Sequence, residues 1–571
     1  MINTLKEFAH DSARRYLQSA VFVDDEIFDK HSGMALDPAD LPKPRKRIFL
    51  REPEGENIVG VDQATPDGPD TDRHYHPKEL VSSFAREGII CALYEPPEGF
   101  STSPDSEIFK LCERPDIIIL DWDFSGDRGQ KALDLIAVLV KQSNEEFPHH
   151  TRLLSIYTSD PSLTGVADSV ADRLRREGFE AQPVRSQCRI RYGATRLLIL
   201  GKDIPRFGEE EFTVEEKDLA SRLIEEFADM NSGILPSYAL NGMAAVRRNS
   251  KRILDRFHSD LDGAFLLQRA LIMEVEDAFE QLPELLAEEL LAVINAEHTK
   301  SAGINAVGEE VASNLRVGEP ATPWCDRNGR PVATSNILRN ILKGGRASLT
   351  QDNKECRQAG DLAKKGWRGV DAQVIRDLHM MVDPDATESN QRLASLFVTR
   401  TQYHSEARNL SYGTVVRHRG ADGREPDWSY SFCVMPACDA VRLNLTRQFK
   451  EEKPVAFPFW KLREDIDNRG AVGRGLVIEL PDGSYVELSA GGKARDMLWV
   501  VSFQVNKTTG TVVAERSKDA RFFFIPDQEV EIEWIAQLKP LHAQRIAHDI
   551  GQSLSRVGLV EAEWLRLLCE R

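Results

Sequence analysis

The sequence predicts a multidomain chain of mixed class. A doubly wound α/β domain occupies residues 1–232, a helical region 233–316, a mixed or linker region 317–394, and a β-rich module ending in helices 395–571. Three observations carry this. Short, wholly apolar runs alternate with segments of helical period as far as residue 230, the pattern of βαβ units around a parallel sheet covered on both faces. Residues 236–315 hold the helical period throughout, most clearly in LPELLAEELLAVINAE. From about residue 395 the period becomes two.

Each element follows in order. Residues 3–19 alternate as a helix and stop before an apolar run at 21–23, which is closed by Asp24, Asp25 and Glu26. Residues 27–77, containing PADLPKPRKR and PDGPDTDRHYHP, read as an insertion rich in turn formers. A helix is expected over 78–88, a strand over 89–94 and a short helix over 103–113. In PDIIILDWDF, residues 117–120 form a second apolar strand that ends on acids. Then come a helix over 130–142, a strand over 153–157 ending at Thr158-Ser159-Asp160, a helix over 163–176, a strand over 196–200 ending at Gly201-Lys202, and an amphipathic helix over 214–230. Residues 316–390 are polar and mixed, with turn signals such as Asp326-Arg327-Asn328-Gly329. Beyond 395, GTVVRH, YSFCVMP, VAFPFWKL, the pair GLVIEL-PDGS-YVELSA and the pair MLWVVSFQV-NKTTG-TVVAE read as strands and hairpins, and the last thirty or so residues return to helix.

Composition limits the function classes. The net charge of −18 opposes whole-protein binding to a phosphate backbone, so no specific nucleic-acid partner is expected. No apolar run approaches the roughly 18 residues of a membrane span, and the N-terminus lacks the layout of a signal peptide, so no membrane association is expected. The eight cysteines include no CxxC pair, which argues against a zinc ribbon and fits a reduced cytoplasmic setting.

In open parallel sheets, function collects at the C-terminal ends of the strands. Four such ends carry Asp24-Asp25-Glu26, Asp121-x-Asp123, Thr158-Ser159 and Gly201-Lys202. Clustered carboxylates repel unless a hard cation lies between them, and Mg²⁺ suits oxygen ligands and exchangeable waters. A lysine and a hydroxyl beside it can hold phosphoryl oxygens. Together these residues are equipped to move a phosphoryl group onto a carboxylate.

Haloacid-dehalogenase-type phosphatases use a similar set, but there the nucleophile strand comes first and the extra acidic pair last. Here the acidic pair comes first. That order, and Asp121-Trp-Asp-Phe-Ser-Gly-Asp-Arg-Gly129 with its glycine eight residues after the aspartate, resemble the receiver domain of two-component response regulators. The resemblance covers about 1–230 and implies a flavodoxin-like sheet. It implies that Asp121 is the phosphoacceptor, that Asp24, Asp25, Asp121 and the main-chain carbonyl of Asp123 bind Mg²⁺, that Thr158 follows the phosphoryl group, and that Lys202 pairs with it. The partner it implies is a histidine kinase. The chain departs from the family pattern at Phe124-Ser125 in place of Met-Pro, at Asp203 in place of the cis-proline after the lysine, and at Ile199 in place of the aromatic switch.

The following stretch, GILPSYALNGMAAVRRNSKRILDRFHSDLDGAFLLQRALI, resembles atypical receiver proteins such as those of Detocs-type anti-phage phosphorelays. That likeness implies a regulator or phosphate-sink role beside a second receiver-effector protein. Two other readings stand: a pseudo-receiver that serves as a protein-binding scaffold, and a Mg²⁺-dependent phosphatase or topoisomerase-primase-like nuclease built on Glu26, Asp121 and Asp123. The Thr158/Lys202 pair favours phosphoryl handling. In FCVMPACDA, Cys438 is expected to be buried at a strand-loop junction, and His548 to lie on an ordinary helix surface.

Overall fold

The computed structural model describes residues 4–27, 77–124, 126–146, 151–179, 182–184, 188–192, 195–203, 209–272, 277–300, 304–320, 322–349, 356–365, 372–382, 387–402, 407–420, 428–443, 453–464, 475–490 and 497–554. The insertion read at 27–77 and the final helical stretch beyond 554 therefore lie almost wholly outside the described residues. The chain divides into two units, Met1–Val311 and Ala312–Arg571.

In the first unit, Thr4 starts helix α1 (Leu5–Tyr16) with a capping box: its hydroxyl accepts the Glu7 N–H, and the Glu7 carboxylate accepts the Thr4 N–H. Then follow β1 (Ser19–Val23), α2 (Pro77–Glu87), β2 (Ile90–Tyr94), α3 (Glu107–Glu113), β3 (Ile117–Leu120), α4 (Gln130–Glu146), β4 (Arg152–Thr158), α5 (Leu163–Arg176), β5 (Gln182–Val184), β6 (Arg189–Tyr192), β7 (Thr195–Gly201) and α6 (Leu219–Met230). The sheet order is β2-β1-β3-β4-β7-β6-β5. The first five strands are parallel, and β6 and β5 add an antiparallel edge.

Every residue of β3, β4 and β7 is buried, so helices must cover both faces of the sheet. Helices α1, α2 and α6 pack together, as do α3, α4 and α5. Sequence reading left out β5 and β6, and the reason is physical. QPV and RIRY are short, and an edge ribbon carries none of the apolar continuity that marks a covered strand.

The unit continues through α7 (Ile234–Arg248), α8 (Ser250–Arg256), α9 (Asp262–Leu271), α10 (Asp277–Glu280) and α11 (Leu282–Lys300), and the boundary between the units falls within α12 (Ile304–Asn314). Helix α7 packs on α1 and α11, and Glu297 of α11 pairs with both Arg15 and Arg248 at 3.2 Å.

In the second unit, α13 (Ser335–Gly344), α14 (Arg357–Lys365) and α15 (Ala372–Val382) gather around Trp324, whose indole N–H donates to Asp377 at 3.1 Å. After α16 (Thr387–Val398) come β8 (Thr414–Gly420), β9 (Ser429–Cys433), β10 (Val455–Glu464), β11 (Gly475–Glu479), β12 (Tyr485–Ser489), β13 (Leu498–Phe503), β14 (Glu515–Arg516), β15 (Phe522–Phe524), β16 (Val530–Gln537) and α17 (Pro540–Leu554). The strands run β11-β12-β10-β9-β8-β16-β15-β14, with β13 also paired to β10. GLVIEL-PDGS-YVELSA is the antiparallel pair β11–β12, as its turn predicts. The second expected hairpin is corrected. NKTTG does form a tight turn, but β13 pairs with β10, from Val455↔Phe503 to Trp460↔Leu498.

Candidate functional site

The sheet order reverses between β1 and β3, which opens a crevice at their C-terminal ends. Register aligns the ends: Val23 lies opposite Leu120, Leu120 opposite Ile156, and Thr158 opposite Gly201. Asp24, Asp121 and Lys202 each follow the last residue of a strand. Their N–H groups extend the ladder, bonding to Tyr94, Val23 and Thr158 carbonyls respectively. Backbone pairing thus fixes where each side chain starts.

Three of the four ends use one local device. The first polar side chain turns back to accept the N–H two residues on: Asp24 from Glu26 at 2.9 Å, Asp121 from Asp123 at 2.9 Å, and Thr158 from Asp160 at 3.0 Å. These turns hold residues that are only 1%, 7% and 2% exposed. Lys202 comes in from β7. Its Nζ lies 2.7 Å from Asp121 Oδ1 and 3.3 Å from Asp24 Oδ2.

The electrostatics follow from that geometry. Burial raises the pKa of Asp121. Lys202 pulls it back, Asp24 pushes it up again, and the result is about 7. Burial alone would lower the Lys202 pKa, but the carboxylates of Asp121 and Asp24 outweigh it, and the ammonium is held above its ordinary value.

A cleft of about 830 Å³ opens over the site. It is lined by Asp24, Asp25, Asp121, Asp123, Thr158 and Lys202, so all six residues singled out in the sequence reach one cavity. They differ in environment. Asp25 is half-buried, and Asp123 is exposed, with its Oδ1 accepting the Arg128 N–H at 2.8 Å. Glu26 and Ser159 also line the cleft and are exposed. Among the described residues, no three acidic, histidine or cysteine side chains close into a set that could hold a metal by themselves. The donors at hand are all oxygen, which suits a hard cation completed by a main-chain carbonyl and waters.

The sequence pattern marked Gly129 but not the role of Asp127 before it. Asp127 caps α4: its two carboxylate oxygens accept the Gly129 and Lys131 N–H groups at 2.9 and 2.8 Å. An aspartate three residues before a helix was the available signal. Gly129 has φ +87°, and a Cβ there would sit 2.2 Å from Cζ2 of Trp122. The glycine eight residues after Asp121 is therefore needed for two reasons: a left-handed backbone, and an indole laid directly on it.

Residues 16–205 match the family model of the response receiver domain. The match spans a third of the chain and contains Asp24, Asp25, Asp121, Asp123, Thr158 and Lys202. It supports a response-regulator receiver with a phosphoacceptor role in general terms. Receiver domains work with histidine kinases or other phosphotransfer partners, generally bind Mg²⁺ for phosphorylation, and are typically signalling proteins rather than enzymes. No curated protein and no solved structure matches the chain. Among the described residues, no helix is long and apolar enough to cross a membrane.

Outside the receiver, Cys438 corrects its expectation. It is exposed, because it falls on a short 3₁₀ turn, Ala437–Asp439, after β9 has ended. His548 lies exposed on α17 beside Gln552.

Proposed function

We propose that this protein takes a phosphoryl group on Asp121 from a partner histidine kinase and serves as a cytoplasmic regulator or phosphate sink in a bacterial phosphorelay of the anti-phage kind. The observation that carries the reading is the Lys202 ammonium held between Asp121 and Asp24 at the switch point of a sheet that matches the receiver family.

In this account an oxygen of Asp121 attacks the phosphorus of the phosphohistidine. The P–N bond breaks and the imidazole leaves with the electron pair. Lys202 stays beside the charge that builds on the phosphoryl oxygens, and the Thr158 hydroxyl donates to one of them. Mg²⁺, when bound by Asp24, Asp25, Asp121 and the Asp123 carbonyl, supplies further neutralisation of that charge. The helical region and the β-rich module then convert or store the signal. The nuclease reading is disfavoured, because Thr158 and Lys202 line the same cleft as Asp121, a pair suited to phosphoryl handling.

The test is phosphate incorporation from the partner kinase into wild-type, Asp121→Asn and Asp123→Asn protein. Asp121→Asn keeps the shape and removes the nucleophile, so incorporation vanishes. Asp123→Asn retains it, because position 123 offers its main-chain oxygen. Incorporation into none of the three would favour a pseudo-receiver scaffold.

A further inference from the structure

We propose that Arg128 is a specificity-determining residue that receives the phosphoryl dianion of the incoming donor; the inference rests on the phosphoacceptor reading above. Arg128 lines the same cleft as Asp121 and is exposed. Its guanidinium makes no hydrogen bond or ion pair among the described residues, although a carboxylate-rich cavity lies beside it. The cleft is lined by Asp24, Asp25, Glu26, Asp121, Asp123 and Asp160, against Lys202 and Arg128. Lys202 is already engaged by Asp121 and Asp24. A doubly negative donor approaching these acids therefore meets one uncommitted cation among the described lining residues.

The backbone shows that this placement is imposed. Arg128 has φ +55°, a left-handed conformation that disfavours a residue with a Cβ and that is tolerated best by glycine and asparagine. It is held there from both sides. Its N–H is bound by Asp123, and Gly129 behind it is pinned by the Trp122 indole and by Asp127. A long cationic side chain at a position suited to glycine breaks the local rule, and residues that do so cluster where a side chain is needed at a site. A planar guanidinium fits two phosphoryl oxygens at once.

The experiment is labelling of the full-length protein by acetyl phosphate with Mg²⁺, followed by intact mass, as a function of donor concentration. Arg128→Asn accepts the left-handed backbone and removes the charge. Arg128→Lys keeps a cation. The expected result is a half-saturating concentration raised about 5- to 10-fold in Arg128→Asn, with the rate at saturation within about 2-fold of wild type. Arg128→Lys should recover part of the loss, and added salt should shrink the difference between wild type and Arg128→Asn. A purely structural role for Arg128 would instead lower the melting temperature and leave half-saturation unmoved. A wild type that labels normally and an Arg128→Asn variant with unchanged half-saturation would overturn this inference alone. A wild type that takes no label would remove the phosphoacceptor reading, and this inference with it.

Discussion

At the scale of single residues, three positions have consequences that can be measured. Gly129 lies under the Trp122 indole with a left-handed backbone, so Gly129→Ala adds strain and overlap together. It should destabilise the first unit by about 2 kcal/mol or more in denaturant unfolding. In a Trp122→Leu background the loss should be smaller, because only the backbone strain remains. Glu226 is fully buried on α6 and binds Arg189 and Arg196 at 2.8 Å. Burial opposes its ionisation, but the two guanidinium groups outweigh that and hold its pKa below the usual carboxylate value. Glu226→Ala strands two guanidinium groups and should cost about 3 kcal/mol by the same measurement. His418 lies in the sheet of the second unit, with its Nε2 3.0 Å from the Ser431 hydroxyl, which also accepts the Trp499 indole N–H. Burial first, and Lys461 second, depress its pKa to about 4. Between the ordinary value near 6.5 and about 4, the unfolded chain takes up a proton that the folded chain refuses. The second unit should therefore lose stability as pH falls through that window, and His418→Gln should flatten the loss in thermal melts across it.

At the scale of elements, legibility in the sequence follows burial. Strands β1, β3, β4 and β7 are largely apolar because both faces are covered, and the polar stops at or after their ends mark Asp24, Asp121, Thr158 and Lys202 in the sequence. What lay hidden has physical reasons. Strands β5 and β6 form an edge ribbon with no continuous apolar run. Arg128 is conspicuous only through its φ, which a letter string does not carry. Strand β13 was legible as a strand but not in its partner, because NKTTG advertises a local hairpin while the pairing partner β10 lies some forty residues back. That pairing is testable. Phe457 and Phe503 meet edge to face at 5.7 Å across β10 and β13. Each alanine substitution should cost about 3 kcal/mol, and the double variant should fall short of their sum by about 0.5 kcal/mol or more. Strict additivity would contradict the pairing.

At the scale of the whole molecule, the chain carries its receiver-like chemistry in one unit and a separate helical cluster and β-sheet in the other, each with its own core. Asp121, among all the carboxylates lining the cleft, is the one proposed to become the acyl phosphate. Asp121 combines burial, a direct bond to Lys202, and a place at the sheet's switch point. Asp24 shares Lys202 at the longer distance of 3.3 Å, and the Asp123 carboxylate is turned to the Arg128 N–H. The most direct measurement is to phosphorylate the full-length protein, reduce the acyl phosphate with borohydride, and locate the reduced residue by peptide mass spectrometry. A single modified position is expected, Asp121, and it is lost in Asp121→Asn. Modification at Asp24, Asp25, Asp123 or any other residue in the wild type, or label that persists in Asp121→Asn, would contradict it.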